Sequence, residues 1–222
     1  MTGVVDAVCV VHAERDSGVK RVTRTAIDKR SVDGRVPLGR LGLGGDYVCD
    51  TEFHGGAYQA VYAYDHVEAQ RWSAELGRPL HPGWFGENLR ISGIAVTDAV
   101  IGERWHITGA DSSDVVELEV TGPRVPCGTF GLWSGEKGWV KRFTHRADVG
   151  AYLRVNRTGT LAAGDTVTRV HVPDHGVTVR QVFAGADPEH LRQLLNSHHD
   201  LAPNVRERIS TFVERAETQV HS

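Results

Sequence analysis

A strand-rich barrel or sandwich with peripheral helices, followed by a small helical segment, is the mainly β fold class that the sequence predicts. Three observations predict it. Residues up to about 172 break into short β-branched and apolar runs separated by glycine. Two stretches within that part have the spacing of an amphipathic helix. Beyond Val172 the spacing turns helical.

The opening run "VVDAVCVVHA" is apolar on both faces apart from Asp6, as a strand inside a barrel or sandwich would be. "KRVTRTAID" alternates and suits a half-exposed strand. Four glycines fall between Gly39 and Gly45, which argues against a regular element there. "YQAVYAYD" reads as a strand whose Asp65 caps a helix carrying Ala69, Trp72 and Leu76 on one face and stopping at Gly77. "FGENLRIS", "GERWHITG" and "VVELEVTG" are three further strands. A second helix near Lys137–His145 presents Trp139, Val140 and Phe143 together. "AYLRV" and "DTVTRVHV" close the strand set. After the turn "PDHG", Thr178, Asp187-Pro188 and Pro203 each open a helix. Residues 1–172 are therefore expected to form the barrel and residues 177–217 a three-helix extension packed on it.

Composition narrows the function classes. The chain has 222 residues with 40% hydrophobic and 24% charged, ordinary for a globular protein. A formal charge of −3 argues against nucleic acid as a partner. No stretch has the length of a membrane span, and the first residues have no basic n-region or apolar run of signal-peptide length. A cytoplasmic protein without a disulfide framework is expected from this and from three irregularly spaced cysteines.

"TGPRVPCGTFG" draws attention to Cys127. Pro123 and Pro126 stiffen the approach, Gly128 and Gly131 follow, and Arg124 stands three residues before the thiol. A nearby guanidinium favours the thiolate, the form that attacks or ligates, although free cysteines are also common as small buried hydrophobes. Cys9 fits that packing role, and Cys49 lies in a polar loop. His54-Gly55-Gly56 can turn backbone N–H groups toward an anion or form a plain tight turn. Glu87 and Asn88 in "WFGEN" stand just before a strand, where buried side chains need hydrogen-bond partners from protein or ligand. No zinc-binding spacing is present, since His198-His199 lacks a third ligand, and neither a P-loop nor a GxSxG elbow occurs.

In this order, "LGLGGD", "HGG", "AVYAY", "WFGENL", "IGERW", "PRVPC", "YLRV" and "AAGD" resemble the MOSC domain family, named for the C-terminal domain of molybdenum cofactor sulfurase. The resemblance covers about residues 1 to 172, and the tail looks like the helical extension of the bacterial branch linked to resistance against N-hydroxylated purines. It implies a β-barrel holding the pterin-based molybdenum cofactor, with the metal bonded to Cys127 as ligand and catalytic residue. His54, Gly55, Gly56, Glu87, Asn88 and Arg124 occupy the family's motif positions and are expected to wall the cofactor pocket. Arg124 is the expected partner of the cofactor phosphate, and Arg154 a second one unless it pairs with a surface carboxylate. The family also carries an association with pyridoxal phosphate. The implied activity is reduction of small N-hydroxylated or N-oxygenated compounds such as base analogues. No flavin, haem or iron–sulfur motif is visible, so a separate reductase would supply electrons. Relatives often read "HGGPDKAV", where this chain has Ala57-Tyr58-Gln59, and often carry lysine where it has Thr129. A carrier of the cofactor or of sulfur without turnover, and a metal-free reactive thiol protein, are the two alternatives.

Overall fold

The computed structural model describes residues 2–20, 22–110, 114–185, 187–197 and 200–220; His198-His199 lies outside them. In chain order the elements are β1 (Thr2–Asp16), β2 (Arg24–Ser31), β3 (Val36–Gly39), β4 (Gly42–Leu43), β5 (Val61–Asp65), α1 (His66–Leu76), β6 (Leu89–Ser92), β7 (Arg104–Thr108) and β8 (Val115–Pro123). They continue as α2 (Gly128–Ser134), α3 (Trp139–Arg146), β9 (Ala151–Arg157), β10 (Gly159–Leu161), β11 (Thr166–His171), α4 (Val179–Ala184), α5 (Pro188–Ser197) and α6 (Pro203–Val220).

Seven strands run in the order β11-β7-β8-β9-β5-β6-β1, and β1 pairs back onto β11 to close a barrel. β1 serves three neighbours: its start pairs with β11, its middle with β6, and its far half with β2. Register shifts along it let the strand bend away from the barrel. β5 and β6 are parallel, so a crossover must join them, and α1 supplies it. Asp65 Oδ1 accepts from the N–H groups of Val67 (2.6 Å) and Glu68 (3.3 Å), and Gly77 ends the helix in the left-handed region. β3, β4 and β10 form a separate small sheet.

The structure departs from the sequence reading in three places. The glycine-rich stretch contributes the end of β3 and all of β4, with Leu38 buried before Gly39 and Leu43 buried between Gly42 and Gly44. β5 begins at Val61, because Ala57–Gln59 form a short 3-10 turn. α2 follows Cys127 directly, with glycine at its first position. Packing makes that helix: Phe130 is fully buried, and Gly131 lies where a Cβ would be 3.1 Å from Val140 of α3.

The barrel and the last three helices share one apolar core, running from Val5 and Leu118 to Leu191, Ile209 and Val213. Thr178 and Gln181 form a reciprocal capping box at the start of α4. Among the described residues no helix is long and apolar enough to cross a membrane.

Arg180 of α4 ties the extension to α1 and to the segments that carry Asp98 and Asp148. Its guanidinium donates to Asp98 (2.6 Å), to Asp148 (2.9 Å) and to Glu68 (3.4 Å). Burial, then the charges of Asp148 and Asp65, push the Glu68 carboxyl up to about 8 against the pull of Thr97 and Arg180. The native state then keeps a proton that the unfolded chain releases near pH 4.5, so this group's stabilisation is lost as pH rises toward 8. Glu68→Gln should therefore gain in melting temperature relative to the parent as pH goes from 5 to 8. A difference that stays constant over that range would show Glu68 ionised throughout.

Candidate functional site

The site is assembled from loops that a buried polar knot holds in place. Asn88 behaves almost as an extra strand residue between β5 and β1. Its Oδ1 accepts from the Tyr62 N–H (3.0 Å), and its Nδ2 donates to the Cys9 carbonyl (3.3 Å) and to Asp46 Oδ2 (2.7 Å). Asp46 also accepts from Lys29 Nζ (2.5 Å) and from the Val11 N–H (3.1 Å). Asp46 ends "LGLGGD", so this knot anchors the start of the loop that runs on to His54. Asn88 is thus spent on the scaffold.

Glu87, fully buried, has the same character. Its carboxylate accepts from the N–H groups of Gly83 (2.8 Å) and Phe85 (3.0 Å) and pairs with Arg90. That fixes the turn from which Trp84 and Phe85 project. The Trp84 carbonyl accepts from Trp133 Nε1 of α2 at 2.8 Å, and the rings of Trp84 and Phe85 pack on Phe130. Glu87 therefore acts on the site at one remove, by seating the helix that starts after Cys127.

Cys127 is half-buried at the head of α2. Burial raises its thiol, but hydrogen bonding with His54, the charge of Arg124 and the Phe130 backbone N–H outweigh this and bring it from 9.0 down to about 7. About half is thiolate at neutral pH. The other two cysteines go the opposite way. Burial pushes Cys9 far up, and burial followed by the Glu14 charge raises Cys49.

Arg124 is 5% exposed. Its guanidinium carbon lies 3.9 Å from the Phe130 ring centroid and 5.9 Å from that of Phe143. Among the described residues no carboxylate pairs with it, and its buried Nη1 has no hydrogen-bond partner. Aromatic faces offset part of the cost of burying that charge, roughly 2 kcal/mol when desolvated. The rest of that cost is met by no protein acceptor at Nη1.

The third side is the turn His54-Gly55-Gly56. Gly55 and Gly56 have φ of 82° and 76°, a region that favours glycine. A Cβ at Gly56 would meet nothing within 4 Å, so the backbone there borders open space. Gly131, by contrast, serves the α2–α3 contact and clears no room above the sulfur.

Cys127, Arg124 and His54 are brought together, with Gly55 and Gly56 on the His54 turn. Arg154 is engaged elsewhere. It pairs with Glu119 (2.7 Å) and Asp200, and lines a groove of about 460 Å³ with Gly102, Arg104, His171 and His175. Two residues that sequence reasoning passed over belong with the site. Tyr152 packs on Tyr62 at 5.4 Å between ring centroids and feels the charges of Arg124 and Cys127. Phe130 is the platform for Arg124. Tyr152 lies in "YLRV" and shares a strand face with Arg154, so the motif held the signal.

The arrangement fits an anionic cofactor bearing a soft metal. A thiol lowered toward the thiolate is available as ligand, a buried guanidinium whose Nη1 has no hydrogen-bond partner acts on it by its charge, and glycine backbone leaves space. Among the described residues no group of three or more His, Cys, Asp or Glu could hold a metal ion, so a metal at Cys127 would bring its other ligands with it.

Alkylation of the full-length chain, located by peptide mass spectrometry, should modify Cys127 with a rate midpoint near pH 7. His54→Ala should raise that midpoint by removing the hydrogen bond. A midpoint near 9 in the parent chain would contradict this geometry.

Comparison with known proteins agrees with the fold. The MOSC domain model matches residues 50–168. The uncharacterized protein YflK of Bacillus subtilis (strain 168) is 30% identical over 156 residues, 70% of this chain and 68% of that protein. A protein named "Reductase" from Gibberella moniliformis (strain M3125 / FGSC 7600) is 33% identical over 67% of this chain, which spans 26% of it. The crystal structure of YiiM from Geobacillus stearothermophilus superposes with a TM-score of 0.74 at 20% identity, covering 95% of this chain and 99% of that one. YiiM from Escherichia coli superposes with a TM-score of 0.70 at 21% identity, covering 97% and 94%. The chain belongs to the MOSC domain family, and its barrel with peripheral helices is that family's fold.

Proposed function

We propose that this protein is a molybdenum-cofactor-dependent oxidoreductase that reduces N-hydroxylated or N-oxygenated small molecules, with Cys127 holding the metal. Membership of the MOSC family and the reductase-named relative support an oxidoreductase-like role. The observation that carries the finer reading is a thiol lowered to about 7 beside a buried arginine whose Nη1 has no protein acceptor.

When bound, the cofactor would supply the redox-active metal centre that N–O reduction requires. The chain's own residues do the rest. Arg124, its guanidinium 3.9 Å from the Phe130 ring centroid, would hold an anionic oxygen of the cofactor. His54 keeps the Cys127 sulfur deprotonated for ligation. Gly55 and Gly56 let backbone approach without a side chain between. Reduction of an N–OH group breaks the N–O bond, consumes two electrons and two protons, and leaves N–H and water. A separate reductase would provide the electrons. Pyridoxal phosphate, the family's other association, needs a lysine amine at the site. The buried Lys29 is held by Asp46 at 2.5 Å, so that cofactor forms no part of the proposal.

A thiol near 7 also suits a metal-free reactive cysteine, and one experiment separates the two. Protein purified from a host that makes the cofactor should contain near-stoichiometric molybdenum, and Cys127→Ala none. Cys127→Ser should fail to reduce an N-hydroxylated base analogue with a competent electron donor. Metal-free parent protein with a fast-alkylating Cys127 would favour the free thiol, and a fully active Cys127→Ser would refute the mechanism. Arg124→Met, which keeps an apolar stem but removes the guanidinium, should weaken cofactor retention about ten- to a hundredfold.

A further inference from the structure

On the outer face of the barrel a line of polar and charged side chains crosses four strands. His171 of β11 stands in register with Arg104 of β7, Arg104 with Glu119 of β8, and Glu119 with Arg154 of β9. All four border the groove of about 460 Å³, which Asp174, His175 and Ser197 help to complete. Its lining therefore comes from the barrel, from the linker after β11 and from the end of α5. The linker is pinned there: the Val177 N–H donates to His175 Nδ1 at 3.0 Å, and His190 of α5 bonds the His175 carbonyl. Cys127, Arg124 and His54 are not among the lining residues. At the Arg154 end, Asp200 bonds both Arg154 and the Tyr58 hydroxyl, the latter at 2.5 Å.

The carboxylates of this face are committed, and one guanidinium is not. Glu119 pairs with Arg154 at 2.7 Å and accepts from Asn156 at 2.8 Å. Glu117 bonds His106 at 2.9 Å and Asn156 at 3.2 Å, and stands 3.8 Å from Arg104 Nη1, too far for a hydrogen bond. Arg154 spends its Nη groups on Glu119 and Asp200, so it brings charge to the groove rather than free donors. The Arg104 side chain is 43% exposed and, among the described residues, its guanidinium makes no hydrogen bond. Its cross-strand partner His171 is exposed as well. A guanidinium opposite an imidazole adds little to the sheet, and repels it when the ring is protonated. Asp174 makes no ion pair among the described residues.

We propose that this groove is a second binding site, separate from Cys127, that takes the phosphate group of a small phosphorylated molecule, with Arg104 and His171 as its anchors. Three donors border it from three elements: the Arg104 fork on β7, the His171 ring on β11 and the Ser197 hydroxyl on α5. A planar carboxylate fills one guanidinium fork, whereas the oxygens of a tetrahedral phosphate can meet all three. Because the lining belongs to barrel and extension alike, a bound phosphate ties the two together. The assignment needs neither molybdenum nor an ionised thiol.

Isothermal titration calorimetry of the full-length chain with inorganic phosphate and with glycerol 3-phosphate, at low ionic strength, provides the test. One site with a Kd of about 0.1–1 mM is expected for both. Arg104→Gln should weaken it about tenfold or more, and Asp174→Asn, which removes a repelling carboxylate, should tighten it about twofold. Both positions are solvent-exposed or partly so, and the variants' melting temperatures without ligand should stay near the parent's. Phosphate should raise the melting temperature of the parent more than that of Arg104→Gln. Arg124→Met removes the buried cation near Cys127 and should leave the binding unchanged. Binding that survives Arg104→Gln but is lost in Arg124→Met puts the anion at the Cys127 site and overturns the proposal. No saturation by about 10 mM of either ligand overturns it too, and succinate binding as tightly as phosphate overturns the choice of phosphate.

Discussion

The contact between Asn88 and Asp46 is the constraint on which the rest of the site depends. Both are buried or nearly so, and a buried carboxylate is costly unless fully bonded. Asp46 meets that requirement with Lys29 Nζ, Asn88 Nδ2 and the Val11 N–H. These partners come from β2, the loop before β6, and β1, so the loop from Asp46 to Gly56 starts from a point that three parts of the barrel define. Loss of the Asp46 carboxylate would leave Lys29 as an unpaired buried cation.

Two polar anchors thus feed one reactive group by separate routes. Asp46 anchors the loop that brings His54. Glu87 fixes the turn whose aromatic rings seat α2, and α2 begins where Cys127 stands. Arg124 enters along β8 and is held by the face of Phe130, itself part of a cluster in which Phe130 and Phe143 stand 5.1 Å apart. Cys127, Arg124 and His54 are thus each carried by a different part of the fold.

Much of this was legible in the residues alone. The helices of the extension announced themselves through Thr178, Asp187-Pro188 and Pro203, whose caps act locally. The strands were legible as β-branched runs, but their order was not, since the parallel β5–β6 pair and the closure of β1 on β11 depend on partners far away. α2 was hidden because glycine at its start conceals a helix that Phe130 stabilises by packing. Cys127, Arg124 and His54 stood out through neighbouring proline and glycine. Glu87 and Asn88 stood out as positions, yet their partners are scaffold atoms, which no local pattern reveals. Tyr58 was seen only as a departure from the family's usual sequence, because its partner is 142 residues away.

The shared core has a further consequence. Leu191, Leu194, Ile209 and Val213 belong to the same apolar cluster as Leu118 and Val167 of the barrel, and Arg180 sits in an acidic nest contributed by residues before 150. The apolar residues of the extension close onto the barrel's own interior. Heat or denaturant therefore meets one cooperative unit, and a break in the extension is felt as a loss of stability by the whole chain rather than as the release of a tail.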